Sequence, residues 1–251
     1  GKRLGIYYFE SGAFPRKPTV VYDRAGSSFT TITTKEINPA VYNSTKIFHV
    51  SGISLALSEN VRQTAIDMIK DFKKYGTLIS LDVNYRASLW DEDLARKVIT
   101  SIFPDVDILF VSEETSRRML QRTGTIEEIM KGYTRDYGIK IVATTERKAT
   151  SPTKHTWDSR IYSASEDKFY KEKPYEDIEV VDRIGSGDAY VAGVLFGILK
   201  YNCLQKALEF GNAMAALKNT VPGDLPACDF KEIEQIIKSH KKDGVESEMN
   251  R

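Results

Sequence analysis

The segment from Asp182 to Gly197 contains the residues best suited to do chemistry. It begins Asp-Arg-Ile-Gly-Ser-Gly-Asp and continues with small and apolar residues. This pattern predicts a glycine-rich turn that leads into a helix, whose N-terminus offers free N–H donors and a positive dipole end to an anion. The residues of this anion-binding turn would be Gly185, Ser186 and Gly187. A carboxylate placed directly after them, Asp188, could accept the proton of an attacking hydroxyl while the turn holds the developing negative charge.

Three other motifs with similar glycine patterns are excluded by spacing. A dinucleotide-binding fingerprint needs a third glycine where Tyr190 stands, and a phosphate-binding Walker loop needs a Gly-Lys-Ser/Thr sequence, which is absent. A nucleophile elbow around Ser186 needs glycines in place of Ile184 and Asp188. Phosphoryl transfer stays as the predicted chemistry, although a turn that only caps a buried helix would show the same short pattern.

The composition favours a small-molecule partner. The 251 residues include 36 basic and 35 acidic ones, so no global charge attracts nucleic acid or a membrane surface. The longest apolar run, Ala189 to Leu199, contains two glycines and is shorter than the roughly 20 residues needed to cross a bilayer. This short run favours a protein without membrane attachment. The chain has two cysteines, Cys203 and Cys228, and is long enough to build its own core, which favours a reduced, cytoplasmic protein.

Hydrophobic patterns predict a β-hairpin followed by alternating strands and helices. The runs Leu4 to Phe9 and Thr19 to Tyr22 flank a turn-like segment and predict the hairpin. Alternating strands and helices are typical of a mostly parallel sheet built by βαβ crossovers. The predicted strands of that sheet are Lys46 to Val50, Thr77 to Val83, Val106 to Val111 and Lys140 to Thr144.

Apolar residues at helical spacing predict the helices between and after these strands. The first opens at Ser58 and ends at Gly76, and a second starts at Asp91. A β-rich stretch is expected from Ser151 to Val181. The later helices are predicted at Ile126 to Tyr137, Ser186 to Tyr201, Leu204 to Asn219 and Asp229 to His240, before a charged, flexible tail at 241–251.

The longer string around Asp188 resembles the second signature of the ribokinase-like (phosphofructokinase-B type) carbohydrate kinases, commonly Asp-Thr/Arg-x-Gly-Ala-Gly-Asp. The resemblance implies an ATP-dependent sugar kinase with Mg²⁺ as its metal. It assigns the anion hole to the turn at 185–187 and the catalytic base to Asp188. It also implies a doubly wound, mostly parallel α/β sheet flanked by helices, with a small β lid.

Within this family the resemblance is closest to the 2-keto-3-deoxygluconate kinases, and it runs from Gly5 to about Ile237. It implies that Tyr7, Tyr22 and Arg24 of the lid, together with Arg86, contact a sugar acid. The chemistry agrees, because a guanidinium binds a carboxylate through two parallel hydrogen bonds. Taken alone, the tyrosines could equally be packing residues of a hairpin and the arginines ordinary surface residues.

The resemblance also assigns residues to the remaining parts of the site. Asp224 joins Asp188 on the substrate side, although a simple Gly-Asp turn would look the same. The residues implied on the ATP side are Asn84, Thr144, Gly185, Gly187 and Asn212. The segment after Thr144 resembles the family's loop over ATP but lacks its two glycines, and Ser112 and Thr115 replace the Asn and Glu of a motif linked to magnesium, so no metal ligand is assigned.

Members of the family carry an earlier Gly-Gly signature before the point that matches Leu4, so we expect this sequence to be part of a longer enzyme. We predict one kinase domain over 1–251, with lid strands at about 4–24. The resemblance implies that the protein assembles into a homo-oligomer, joined partly through its lids. The predicted reaction converts 2-keto-3-deoxygluconate to its 6-phosphate. The alternatives are a fructokinase or other sugar kinase of the family, and a non-catalytic sugar-binding protein with the same fold.

Overall fold

The computed structural model of the chain describes residues 2–12, 15–16, 18–151 and 153–242. The described residues form two compact units. The first takes its residues from Gly1–Glu10, Pro18–Thr144 and Tyr162–Lys168, and the second from Ser11–Lys17, Thr145–Ile161 and Phe169–Arg251. The organisation as one kinase domain stays a prediction. The predicted tail lies outside the described residues from position 243 onward.

The predicted hairpin is a two-stranded antiparallel sheet in the first unit. Strands β1 (Ile6–Glu10) and β2 (Thr19–Asp23) pair with Tyr7 opposite Tyr22 and Tyr8 opposite Val21. Because side chains alternate between the faces of a strand, Tyr7 and Tyr22 share one face while Tyr8 and Val21 share the other. The second face is open, since Tyr8 is 61% exposed and Val21 is 57% exposed.

The body of the first unit is the predicted parallel sheet. Its strands are β3 (Ile47–Ser51), β4 (Leu78–Asp82), β5 (Ile108–Phe110) and the start of β6 (Ile141–Ser151), and each pairs in parallel with the next. The register places Ser51, Asp82, Phe110 and Ala143 in one row at the carboxyl edge. Open sheets of this kind bind ligands at that edge.

Short helices and longer amphipathic helices connect these strands. They are α1 (Ala40–Ser44), α2 (Gly52–Leu57), α3 (Glu59–Lys74), α4 (Glu92–Ile102), α5 (Glu113–Arg118) and α6 (Ile126–Tyr137). The side chains of Ser58, Asp91 and Thr125 accept N–H donors at the starts of α3, α4 and α6, as Ser, Asp and Thr caps commonly do. Phe72 of α3 stacks on Phe48 of β3 with ring centroids 4.3 Å apart, which fixes that helix to the sheet.

Three strands make up the β-rich stretch that the sequence predicts from Ser151 to Val181. They follow β6 in the chain and are β7 (Lys154–Ser163), β8 (Lys168–Lys171) and β9 (Tyr175–Glu179). The sheet order is β3-β4-β5-β6-β7-β8, and β9 pairs antiparallel with β7. The prediction that β6 ends at Thr144 and gives way to a loop is wrong, because the strand continues to Ser151 beside its neighbour β7. The sheet is therefore mostly parallel with an antiparallel portion.

The helices of the second unit are α7 (Ser186–Tyr201), α8 (Leu204–Asn219) and α9 (Phe230–Lys241). Glycines let α7 and α8 approach closely: a Cβ on Gly193 would lie 2.7 Å from the carbonyl oxygen of Phe210 and 2.8 Å from the Cα of Gly211. The two helices therefore form a tight antiparallel hairpin. Its packed interface leaves the start of α7 beside the end of α8.

Two other predictions concern the described part of the chain as a whole. None of the helices described there combines the length and apolar character that a membrane crossing needs. Cys203 and Cys228 both carry free thiols.

Candidate active site

The turn from Asp182 to Asp188 is held by its own first residue. One carboxylate oxygen of Asp182 accepts the Ile184 N–H at 2.9 Å, and the other accepts the Gly223 N–H at 3.1 Å. A side-chain oxygen that binds the backbone two residues later is a common way to build a tight turn. Asp182 therefore shapes the turn and ties it to the loop that carries Asp224.

Gly185 is the residue around which this turn folds. It precedes α7 with a φ of 80°, a conformation that glycine adopts without strain. A Cβ on Gly185 would overlap the carbonyl oxygen of Asp224 and lie 2.9 Å from its carbonyl carbon. Only a glycine fits between the turn and this loop.

The first turn of α7 presents the other predicted residues. The Ser186 hydroxyl donates to the carbonyl of Arg183 at 3.0 Å, so this buried side chain closes the turn. Above Gly187 there is open space, since a Cβ there would meet no other atom within 4 Å. Asp188 is exposed in the same turn of the helix. The N-terminal end of α7 is therefore accessible to a phosphate, with the carboxylate of Asp188 beside it.

At the carboxyl edge of the first unit's sheet the structure brings Asn84 together with a serine. Asn84 has a φ of 34°, its N–H donates to Asp82 at 3.1 Å, and its side-chain amide donates to the hydroxyl of Ser51 at 3.4 Å. Thr144 follows Ala143 on β6 and is 4% exposed, and its hydroxyl has no hydrogen-bond partner among the residues that the structure describes. Three of the strands thus carry a polar group at this edge, either within the strand, as at Ser51 and Thr144, or just after it, as at Asn84.

Arg86 and the segment at Ser112 lie beyond the same strands but are engaged differently. Arg86 is exposed, and its guanidinium donates to the carbonyl of Tyr85 at 3.1 Å. Ser112 caps α5 and donates to the hydroxyl of Thr115 at 2.9 Å. The carboxylates that follow Ser112 pair along the helix with arginines, Glu113 with Arg117 at 2.7 Å and Glu114 with Arg118 at 2.9 Å.

The hairpin of β1 and β2, with the residue that follows it, brings together three predicted sugar-binding residues. The rings of Tyr7 and Tyr22 have centroids 6.2 Å apart, and the guanidinium carbon of Arg24 lies 4.1 Å from the centroid of the Tyr22 ring. A cation over an aromatic face is attracted by the ring's electron density, which orients the guanidinium. Arg3 fixes the end of β2 through an ion pair with Asp23 and a bond to the carbonyl of Ala25 at 2.8 Å.

Asn212 lies in α8 with its amide fully engaged. It is 1% exposed, and its oxygen accepts from the Trp157 indole at 3.1 Å and from the Ser159 hydroxyl at 2.6 Å. Its nitrogen donates to Glu172 at 2.6 Å. Burial raises the pKa of the Glu172 carboxyl to about 7, and the bond from Asn212 acts in the opposite direction. A direct contact of Asn212 with adenine stays a prediction. In this structure its amide is hydrogen-bonded to Trp157 and Ser159 of β7 and to Glu172.

No group of three or more His, Cys, Asp or Glu side chains in the described ranges is arranged to hold a metal ion. Magnesium commonly binds through one or two carboxylates, several waters and the phosphates of its substrate. The described residues therefore do not fit a resident all-protein magnesium site.

These placements can be set beside known proteins. The family described as pfkB family carbohydrate kinase matches residues 1–228. The chain belongs to the pfkB family of carbohydrate kinases. It is a sugar kinase with the ribokinase-like fold, as its second signature indicates.

Several relatives of this kinase are named for their substrates. The 2-dehydro-3-deoxygalactonokinase of Haloferax volcanii is 33% identical over 236 residues, which cover 94% of this chain and 71% of that protein. The 5-dehydro-2-deoxygluconokinase of Clostridium perfringens is 28% identical over 250 residues, covering 97% and 70%. The crystal structure of 2-dehydro-3-deoxygluconokinase from Thermotoga maritima has a TM-score of 0.88 at 32% identity, covering 95% of this chain and 74% of that one.

Sequence reasoning missed four residues that shape these groups. Ser51 caps α2 directly after β3, and the sequence Val-Ser-Gly after a strand could have indicated it. Arg3, Glu172 and Lys218 gave no local signal, because each has a partner that lies 20 to 40 positions away in the sequence. Such contacts become visible only in the folded chain.

Proposed function

We propose that this kinase transfers the terminal phosphate of ATP to the 6-hydroxyl of 2-keto-3-deoxygluconate, with Asp188 as the base. The observation that carries the proposal is the anion-binding turn, in which Gly185 precedes α7 against Asp224 and an exposed carboxylate follows one turn later. The relatives are named as kinases of dehydro-deoxy sugar acids, which supports this substrate class.

In the proposed step the sugar hydroxyl oxygen attacks the γ-phosphorus of ATP. A new O–P bond forms, the bond from the γ-phosphorus to the β,γ-bridging oxygen breaks, and ADP leaves. The hydroxyl proton passes to the carboxylate of Asp188. Negative charge that develops on the γ-phosphoryl oxygens is stabilised by the N–H groups and dipole of the α7 N-terminus at Gly185, Ser186 and Gly187.

We assign recognition of the sugar acid to the lid residues and to Arg86. The carboxylate would be bound by Arg24 and Arg86, and the sugar hydroxyls by Tyr7, Tyr22 and Asp224. Arg24 supports this role because its stacking on the Tyr22 ring holds the planar guanidinium in a fixed orientation, which a bidentate carboxylate contact requires.

We propose that the nucleotide contacts Asn84 and Thr144 in addition to Gly185 and Gly187. The buried hydroxyl of Thr144, which finds no partner within the described ranges, supports its assignment, because such a group gains from a ligand that completes its hydrogen bonding. We propose that Asn212 acts on the adenine side by ordering Trp157 and Ser159. Mg²⁺ bound to the β and γ phosphates would neutralise their charge.

We further propose that the open face of the lid, which displays Ile6, Tyr8 and Val21, is covered by a second copy of the protein in a homo-oligomer. These side chains are 48%, 61% and 57% exposed and lie on one face of a two-stranded sheet. Contiguous exposed apolar side chains of this kind commonly mark an interface. The cytoplasmic location stays a prediction from the free thiols.

The test is ADP release by the purified protein with Mg-ATP and a single sugar in each assay. The sugars are 2-keto-3-deoxygluconate, 2-keto-3-deoxygalactonate, fructose and ribose. We expect turnover with 2-keto-3-deoxygluconate, with its product phosphorylated at position 6 by mass spectrometry and NMR. We expect kcat to fall about 10³-fold in Asp188→Asn, since the variant keeps the shape of the side chain and loses the base.

Glu176→Gln is the matched control, because it removes an exposed carboxylate from β9 in the same unit. It should leave kcat unchanged. Turnover with fructose or ribose and none with the sugar acids would contradict the substrate. Full activity of Asp188→Asn would contradict the base.

A further inference from the structure

Lys218 is a charged side chain buried without exposure. It lies in the last turn of α8 and is 0% exposed, among the largest fully buried side chains of the described chain. An ammonium ion removed from water is costly unless other groups replace its hydration. The structure must therefore supply such groups at this point.

Two backbone carbonyl oxygens serve as these groups. The Lys218 ammonium donates to the carbonyl of Asp182 at 3.1 Å and to the carbonyl of Val221 at 2.9 Å. Burial lowers the pKa of Lys218, and the carboxylates of Asp182 and Asp224 act in the opposite direction. The end of a helix also favours a cation.

The two carbonyls belong to the two segments that meet at the anion-binding turn. Asp182 starts the turn that leads to Gly185, and Val221 starts the loop that leads to Asp224. The neighbouring Asn219 strengthens the same connection, since its carbonyl accepts the N–H groups of Val181 and Asp182 at 2.8 and 3.2 Å. The ammonium thus bridges the beginnings of both segments.

We propose that Lys218 is a positioning residue that acts as a built-in monovalent cation and sets the spacing between the anion-binding turn and the Asp224 loop. Because the side chain is buried, we place its effect on the geometry at Gly185, where the two segments are in contact. This inference rests on the proposed function, because the turn must bind the transferred phosphate for its spacing to affect turnover.

A cation held by carbonyl oxygens can be exchanged for a free one. Carbonyl oxygens replace the hydration shell of a monovalent ion such as K⁺. Lys218→Ala removes the ammonium and its stem and leaves room for ammonium or K⁺ between the two carbonyls. Lys218→Met removes the charge but fills the space, so no ion can enter. Lys74→Met is the control, because that lysine also ends a helix but is exposed and forms an ion pair with Asp71.

The experiment measures kcat and KM of the three variants in sodium buffer, then with ammonium, potassium or tetramethylammonium chloride at equal ionic strength. We expect Lys218→Met to lose about 100-fold in kcat with little change in the KM of the sugar, as a small misplacement of reacting groups does. Lys218→Ala should show a similar loss and recover at least about tenfold with ammonium or K⁺. Tetramethylammonium, which is too large to enter, should not restore it, and Lys74→Met should match the wild type.

Wild-type kcat in Lys218→Met would overturn the inference. So would equal recovery of Lys218→Ala in all three salts, or no recovery in any. Failure of both variants to fold in every buffer would make Lys218 a residue of stability alone and would equally overturn it.

The melting temperature separates this inference from the proposed function. If the wild type phosphorylates no sugar, the proposed function fails, but the cation site is still tested by thermal unfolding. A rise in the melting temperature of Lys218→Ala with ammonium and not with tetramethylammonium supports the site. Identical melting temperatures in both salts overturn it.

Discussion

The backbone of Asp224 fills the space that a side chain on Gly185 would need, with its Cα 3.2 Å from the position of a Cβ. The contact joins the start of α7 to the loop after α8 at the point where we propose the phosphate binds. A methyl group added at Gly185 would measure how much this contact contributes to stability and to turnover.

Gly185→Ala should therefore damage both stability and turnover. Alanine at a φ of 80° is strained by about 1–2 kcal/mol, and the overlap with Asp224 adds about 1–3 kcal/mol. Displacing the turn should lower kcat about 100-fold. Gly138→Ala is the control, because Gly138 has a φ of 75° and open space around it. Urea unfolding of both variants isolates the contact, and equal destabilisation would show that it carries no strain.

The lid arginine should affect substrate binding more than the chemical step. Arg24→Lys keeps the charge but loses the planar, bidentate geometry, so we expect a KM for the sugar acid about tenfold higher with a smaller change in kcat. Arg24→Ala should raise the KM for the sugar acid further. Steady-state kinetics checks both variants, and Arg135→Lys, an exposed arginine in α6, is the control. An unchanged KM in Arg24→Ala would remove Arg24 from the sugar site.

Glu172 makes stability depend on pH. Its pKa is raised by burial from the ordinary 4.5 to about 7, so the folded protein holds a proton that the unfolded chain releases at lower pH. Stability from this group is complete below pH 4.5 and is lost as the pH rises to about 7. Glu172→Gln should remove this loss, since the amide oxygen can still accept from Asn212. We expect the variant to gain on the wild type between pH 5 and pH 8 in urea unfolding. A constant difference across that range would contradict the raised pKa.

The helical hairpin should be sensitive to small additions at its interface. Gly193→Ala places a methyl group 2.7 Å from the carbonyl oxygen of Phe210, and we expect it to cost about 1–3 kcal/mol. Gly132→Ala in α6 is the matched control, since its methyl group would meet only arginine side-chain atoms at 3.8 Å. It should stabilise by about 0.5–1 kcal/mol, because alanine favours the helix. Equal effects in thermal unfolding would exclude close packing at Gly193.

Local patterns in the sequence were enough to predict most helices. The bounds of α6 follow from its apolar spacing, the capping pair Thr125 and Glu128, and Gly138 at its end, and the structure has the same bounds. The turn at Gly185 was also predictable, because its glycines and carboxylates are contiguous. Each of these features depends on residues within one or two turns of chain.

Contacts between distant residues were not predictable in this way. Strand β6 runs past Thr144 because β7 lies beside it, and the segment itself carries no signal for that pairing. Lys218 looks like an ordinary helix-ending lysine, and its role follows from a carbonyl 36 residues earlier in the chain. Burial and pairing of this kind are properties of the tertiary structure.

The hairpin of α7 and α8 also bears on the order in which the protein assembles. The two helices follow each other directly, so their pairing can begin where Gly197 meets Ala207, only ten positions later in the chain. Contacts that are local in sequence have a small loop-closure entropy, and each later contact of this helical hairpin adds only a few residues to the segment already closed. The contact of Asp182 with Gly223, 41 positions apart, can therefore form as the last step of this pairing, and the anion-binding turn takes its shape once α7 and α8 have packed together.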